Sequence, residues 1–288
     1  MPKLLKTGIF LIALLSCFPA KSWADPIPVF ASIIPQKYFL KRIGGDRVKV
    51  EVMVNPGASP ATFNPNPKKM SLLSRAKLYF SIGVPFEKIW INRIQSIHPL
   101  LKIVPLHKLG REKPMTGQGP NDNHLHSFGD PHIWTSPARV KVMAIKIRDA
   151  LVKVQPDHEN FFNVNLEKFI SDLNNLDLEI REILEDNPGR HFMVFHPAWS
   201  YFADDYGLEQ VSIEQDGKEP GAQALQRIIE QGKKLGIKVI FVQKQFSLSI
   251  PESIAKTMGA KLRETDPLAE DYIENMRQTA KAISGALK

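Results

Sequence analysis

Residues 162–183 read FNVNLEKFISDLNNLDLEIREI. Phe162, Leu166, Phe169, Leu173, Leu176, Ile180 and Ile183 recur at alternating steps of four and three. Side chains three and four apart stack on one face of an α-helix, so the spacing predicts one long amphipathic helix. Lys168, Asp172, Glu179 and Glu182 fall largely on its other sides. Pro188 and Gly189 in EDNPGR close it, because proline cannot continue a helix and glycine permits the turn. A coiled-coil dimer is the competing reading. A stripe with neither break nor extension suits an intramolecular strut better.

The flanks of this helix share a rhythm. Before it, RVKVEVMV alternates Val48, Val50, Val52 and Val54 with polar or long residues, the period of a strand. AKLYFSIG and KIVPL are short apolar runs rich in strand formers, separated by helix-like segments such as EKIWINRIQSI. Ser136 followed by Pro137 starts a helix that runs to about Lys153. After the long helix, HFMVF and KVIFVQ read as buried strands, AQALQRIIEQGKKLG as a helix closed by Gly236, GAKLRETDP as a short strand and LAEDYIENMRQTAKAISGAL as a terminal helix. Strands alternating with helices imply parallel sheets. The expected fold is α/β: two α/β lobes joined by the long helix, with residues 25–157 in the first lobe, 158–187 in the helix and 188–288 in the second lobe.

Residues 1–24 read as a leader. Lys3 and Lys6 precede the apolar run GIFLIALLSCFPA, and KSWADP places Ser22 and Ala24 at the small positions before a cleavage site. The apolar run is shorter than the roughly 20 residues that a membrane-spanning helix needs. Secretion to the periplasm is the expectation, and a buried N-terminal helix is the alternative. Cys17, the only cysteine, lies in LLSC, a loose match to a lipoprotein cleavage site, so a lipid anchor there is a second option. Cleavage after Ala24 leaves no cysteine, hence no disulfide and no thiolate metal site. The formal charge is +8; Lys3, Lys6 and Lys21 fall in the leader, leaving about +5. That charge is dispersed and accompanies no nucleic-acid motif, so solubility explains it.

Chemistry is expected where strands give way to loops, because ligands bind outside the carboxyl ends of strands in open α/β sheets. Four places qualify: NPGASPATFNPNP after the strand at 48–54, His132 in DPHIWTSP, His196 in MVFHPAWSYF, and Asp266 in RETDPLAE. The stretch NHLHSFGDPHIW, residues 123–134, adds His124 and His126 within nine positions of His132, at the end of a long irregular loop. Taken singly, a histidine is more often a hydrogen-bonded structural group than a ligand, and an aspartate before proline more often a turn or cap. Trp134, Trp199, Tyr201 and Phe202 are expected in the core or a cleft wall. His98, His107, His158 and His191 belong to no constellation.

In order and spacing, PGASPATFNPNP, DPHIWTSP, the long helix, HPAWSYFADDYGL, FVQKQFS and DPLAEDYIENM together resemble the zinc- and manganese-type solute-binding proteins of bacterial ABC importers. The resemblance covers nearly the whole chain after the leader. It implies two lobes tied by a rigid helix, with a metal in the cleft between them. It implies His132, His196 and Asp266 as ligands; the position of His196 tends to be histidine in zinc-type members and glutamate in manganese-type members. Zinc is the expected ion, with manganese or another divalent transition metal as alternatives, and the expected partner is an ABC permease of the inner membrane. A monomer that binds no nucleic acid and catalyses nothing is implied.

One departure matters. The family's first histidine follows the proline of its PGxxPH loop, and here Ala61 follows Pro60. A methyl group cannot ligate. His126, nearer His132 than His124 is, is expected to supply the missing nitrogen, with water as the rival. Gln243 stands where many members carry glutamate; Gln243 and Asn64 could support the ligands from behind. Metal affinity is expected to fall as pH drops through the histidine range, about 6–7. Two other readings remain. A catalytic zinc would also have three protein ligands and an open position, with Glu214 or Asp216 as base, but HExxH and GxSxG are absent. Alternatively, loss of the histidine at Ala61 makes room for another metal or a metal chelate. An adhesin role, sometimes ascribed to this family, has no surface anchor in its favour beyond Cys17.

Overall fold

The computed structural model describes residues 25–108, 129–187, 189–214 and 220–287. The first sheet contains β1 (Ile27–Ala31), β2 (Val48–Val52), β3 (Leu78–Ser81) and β4 (Lys102–Pro105), in the order β2-β1-β3-β4. The second contains β5 (His191–Val194), β6 (Glu209–Ser212), β7 (Val239–Val242) and β8 (Lys261–Glu264), in the order β6-β5-β7-β8. Every pairing is parallel. Both sheets therefore reverse direction beside their first strand, at β1/β3 and at β5/β7, and such reversals open a crevice at the strand ends. The expected α/β fold of two parallel-sheet lobes is what the chain adopts. Sequence periodicity did not single out β1 or β6. β1 carries Pro28 and directly follows the leader, and β6 is four residues long with an exposed Glu209.

The helices are α1 (Ile34–Gly44), α2 (Pro67–Leu73), α3 (Pro85–Ile97), α4 (Pro137–Val154), α5 (Glu159–Leu184), α6 (Ser200–Asp205), α7 (Ala222–Lys234), α8 (Ser249–Met258) and α9 (Tyr272–Leu287). α5 is the long helix, 26 residues. Phe162, Leu166, Phe169, Leu173, Leu176 and Ile180 are all buried, but the stripe finishes on Leu184, with Ile183 only partly covered. The cause is the mismatch between 3.5 and 3.6 residues per turn, which rotates a strict four-three pattern off its face over several turns. The stripe packs on α1, α4 and α9, so one apolar core runs from the first lobe through α5 into the second. This intramolecular packing leaves no seam for a coiled-coil partner. The polar flanks of α5 reach both lobes: Asp172 pairs with Arg42 on α1, and Glu179 meets Arg277 Nε on α9 at 2.7 Å. Among the described residues no helix is long and apolar enough to cross a membrane.

The start of α4 follows its sequence signal. Ser136 caps it by accepting from Arg139 N at 3.2 Å, Pro137 opens the first turn, and the Ser136 hydroxyl also bonds Asp205 of the second lobe. More bonds cross between the lobes here. Trp134 Nε1 donates to the Pro267 carbonyl at 2.7 Å, Tyr201 Oη to the Asp130 carbonyl at 3.0 Å, and Ser200 to the Asp130 carboxylate. Gly236 closes α7 with φ +67°, a conformation other residues adopt only with strain.

A buried carboxyl fixes one wall of the cleft. Glu87 Oε1 accepts from Ile82 N at 2.9 Å and from the Ser32 hydroxyl, and Oε2 accepts from Gly83 N at 2.7 Å. It thereby ties the ends of β1 and β3 to α3. Burial pushes the carboxyl up to about 7, against the pull of these hydrogen bonds. The folded chain then keeps this proton to higher pH than the unfolded chain, so its contribution is full in acid and is lost as pH rises through about 7. Glu87→Gln removes that slope. The stability of the variant relative to the parent is expected to rise by up to about 3 kcal/mol between about pH 4 and pH 8. Denaturant titrations at both pH values check this; a difference that is constant with pH would show that Glu87 does not titrate there.

Candidate metal centre

His196 is placed by β5. The strand HFMV is almost wholly buried, and Phe195 N continues its ladder to the Phe241 carbonyl at 2.8 Å. His196 is the next residue, where the second sheet reverses. Its Nδ1 lies 2.8 Å from Glu214 Oε2, its ring stacks on Phe246 at 4.7 Å, and its carbonyl accepts from Gln243 Nε2 at 3.1 Å. Glu214 follows β6 and is only 3% exposed. Burial pushes the His196 imidazole below the ordinary histidine range, by more than Glu214 restores, so it is neutral near pH 7.

His132 reaches the same point from the first lobe. Asp130 Oδ1 accepts from both its Nδ1, at 2.7 Å, and its backbone N, at 2.9 Å. Burial would raise the Asp130 carboxyl, but His132 and Ser200 outweigh it and hold the group below the ordinary carboxylate range. Each imidazole thus has a carboxylate behind it, which assigns the proton to Nδ1 and turns the Nε2 lone pair forward. The two Nε2 atoms face each other at 3.2 Å. Two lone pairs at that distance repel unless a cation lies between or beside them. Nitrogens bound to one tetrahedral zinc at about 2.0–2.1 Å would lie about 3.3 Å apart, so the pair is already at ligand spacing.

The remaining candidates are placed differently. Ala61 lines the same cleft as the two histidines, its N–H bonded to Ser59 Oγ at 3.3 Å. Asp266 is half-buried and directly precedes Pro267 and Leu268, which line the cleft. Its Oδ1 accepts from Leu268 N at 2.9 Å and from Gln245 Nε2 at 3.4 Å, the work of a turn cap. The structure brings His132 and His196 together and does not bring Asp266 to them. Among the described residues no three His, Cys, Asp or Glu side chains are grouped to hold an ion. His124, His126, Asp216, Pro188, Cys17 and the leader lie outside the described residues. Gln243 is in the cleft wall and buried, whereas Asn64 is exposed and does not line it. Trp134, Trp199, Tyr201 and Phe202 are core residues. His158 bonds Arg47 and His191 pairs with Glu209, neither in the cleft. Sequence reasoning did not single out Asp130, although it stands two residues before His132. It considered Glu214 only as a base, and the structure gives that carboxylate to His196.

Two parallel-sheet lobes joined by a long helix are the build of the metal-type solute-binding proteins of ABC importers. A solved ZnuA structure covers 92% of this chain and 100% of its own, with TM-score 0.86 and 36% identity. A laminin-binding protein of Streptococcus agalactiae, described as a bifunctional protein with adhesin and metal transporting activity, shares the fold with TM-score 0.80 at 24% identity, across 91% of this chain and 100% of its own. The high-affinity zinc uptake system protein ZnuA of Bacillus subtilis is 25% identical over 98% of this chain and 97% of its own length. The zinc-binding lipoprotein AdcA of Streptococcus pneumoniae is 27% identical over 97% of this chain, which spans 60% of that relative's length. The family described as ZnuA, zinc-uptake complex component A periplasmic, matches residues 29–286, and the chain belongs to it.

Proposed function

We propose that this protein captures a divalent transition metal, zinc foremost, in the interlobe cleft and hands it to the permease of an ABC importer. The observation that carries this reading is the facing Nε2 pair of His132 and His196, each backed by a buried carboxylate and only 3.2 Å apart. Family membership and the zinc-binding relatives support it. Asp266 is the proposed carboxylate ligand, through Oδ2, since Oδ1 caps its own turn. His126 is the proposed fourth donor, replacing the nitrogen lost at Ala61. The place of work is the periplasm, after removal of residues 1–24. The bonds across the lobes, from Trp134 to Pro267 and from Tyr201 to Asp130, resist a large hinge motion. Ordering of the cleft loops is therefore the proposed signal that the permease reads. This is a binding role: Glu214 holds His196 and is not placed as a base for water.

Competitive zinc titration of the metal-stripped protein tests the reading. Binding at one ion per chain is expected, and His126→Ala is expected to weaken it by about tenfold or more, roughly 1.4 kcal/mol or above. An unchanged affinity in that variant would remove the loop from the site and leave water in the fourth position. No zinc binding by the parent would overturn the zinc assignment.

A further inference from the structure

We infer that the cleft accepts a divalent metal already held by a small, flat, bidentate chelator, as well as the bare ion. This rests on the reading of His132 and His196 as metal ligands and specifies a second form of cargo. In this form of cargo the chelator takes the two positions that Asp266 and His126 would hold on the bare ion, so that two imidazoles and one bidentate ligand complete a four-coordinate zinc.

Three features describe such a guest. The first is space. The cleft measures about 580 Å³, inside the range of about 300–1,000 Å³ typical of small-molecule sites. A bare ion enclosed by four protein donors has no use for that volume. The second is the character of the walls: Val84, Pro85 and Ile89 come from the first lobe, Phe246 and Leu268 from the second, with Trp134 beside His132. These surfaces suit a flat apolar body. Ala61 adds a methyl to them instead of a donor. The third is Gln243, which is 1% exposed. The His196 carbonyl can only accept, so Gln243 must turn Nε2 towards it. That leaves Oε1 covered and without a hydrogen-bond partner among the described residues, on a side chain that borders the cleft. An unsatisfied buried acceptor is costly, and a small shift of the Gln243 side chain would bring it to a guest N–H or O–H. The chemistry that fits is a metal complex of a planar ligand with two nitrogen or oxygen donors and one further N–H or O–H.

The probe is 2-(2-pyridyl)benzimidazole, which has two nitrogen donors, a flat apolar frame and one N–H. Metal-stripped protein is titrated with zinc alone and with equimolar zinc and probe, and probe absorbance is followed through gel filtration. A 1:1:1 complex is expected, with zinc held about tenfold or more tighter than without the probe. Ala61→His, which supplies a further protein nitrogen inside the cleft, is expected to keep the zinc and release the probe. If the probe strips zinc from the parent protein, the inference fails and the imidazole assignment stands. If the parent retains the probe equally well after His196→Ala, the complex is not held through the metal and the inference fails. If neither zinc nor its complex binds, both readings fall.

Discussion

His196→Ala is expected to weaken zinc binding by more than about 100-fold, because changes in the groups behind metal ligands alone typically cost about 10–100-fold. The substitution removes one of the two facing Nε2 atoms. It also strips Glu214 of its partner, and Glu214 Oε1 already lacks a hydrogen-bond partner among the described residues. A buried carboxylate left alone is destabilising, so some loss of stability should accompany the loss of affinity. Glu214→Gln separates the two effects: the imidazole stays, its orientation loosens, and the loss of affinity should be smaller than in His196→Ala. Competitive titration of both variants, with far-ultraviolet circular dichroism to confirm folding, gives the comparison. Parent-like affinity in a folded His196→Ala protein would remove His196 from the ligand set.

The second large effect lies far from the cleft. Phe169→Ala is expected to cost about 3–5 kcal/mol, the usual range for emptying a large aromatic site in a packed core. Phe169 is fully buried on α5, with the rings of Phe39 and Tyr38 at 5.9 and 6.0 Å and the Arg42 guanidinium 5.0 Å from its centre. For a chain of this size the melting temperature should drop by about 10 °C. The test is whether the loss is shared. The core is continuous from the first lobe through α5 to α9, and a second apolar cluster packs α7 and α8 on the other face of the second sheet; β5 and β7 carry residues of both, so the melt should move as one transition. A melt that splits, with one step unmoved, would show that the lobes hold separate cores.

The long helix was legible because its signal is local and repeated. Seven positions at helical spacing leave little freedom, and only the last, Ile183 against Leu184, drifts off the buried face. Ser136 and Pro137 were legible for the same reason: a cap acts within one turn. β1 and β6 were not, since four or five residues at a sheet edge or beside a leader carry too little periodicity. The site was legible by resemblance and not by spacing. His132 and His196 are 64 positions apart, and only tertiary packing puts them at 3.2 Å. Their carboxylate partners show the two extremes. Asp130 is a neighbour in sequence, whereas Glu214 reaches His196 only because β6 pairs with β5. The DP motif at Asp266 reads as ligand by family and as turn cap by local chemistry, and Oδ1 does the second of these in the structure.

The two sheets share a strand order that the sequence does not display as a repeat. β1, β2, β3 and β4 correspond in rank to β5, β6, β7 and β8. His132 and the proposed ligand Asp266 both come after the fourth strand of their sheet. Ala61 follows the second strand, and its counterpart after β6 is Glu214, already committed to His196. Among the described residues, the donor lost at Ala61 therefore has no uncommitted carboxylate or imidazole after β6 to replace it. The opening is one-sided, and the proposed replacement, His126, comes from the same connection between β4 and α4 that carries His132.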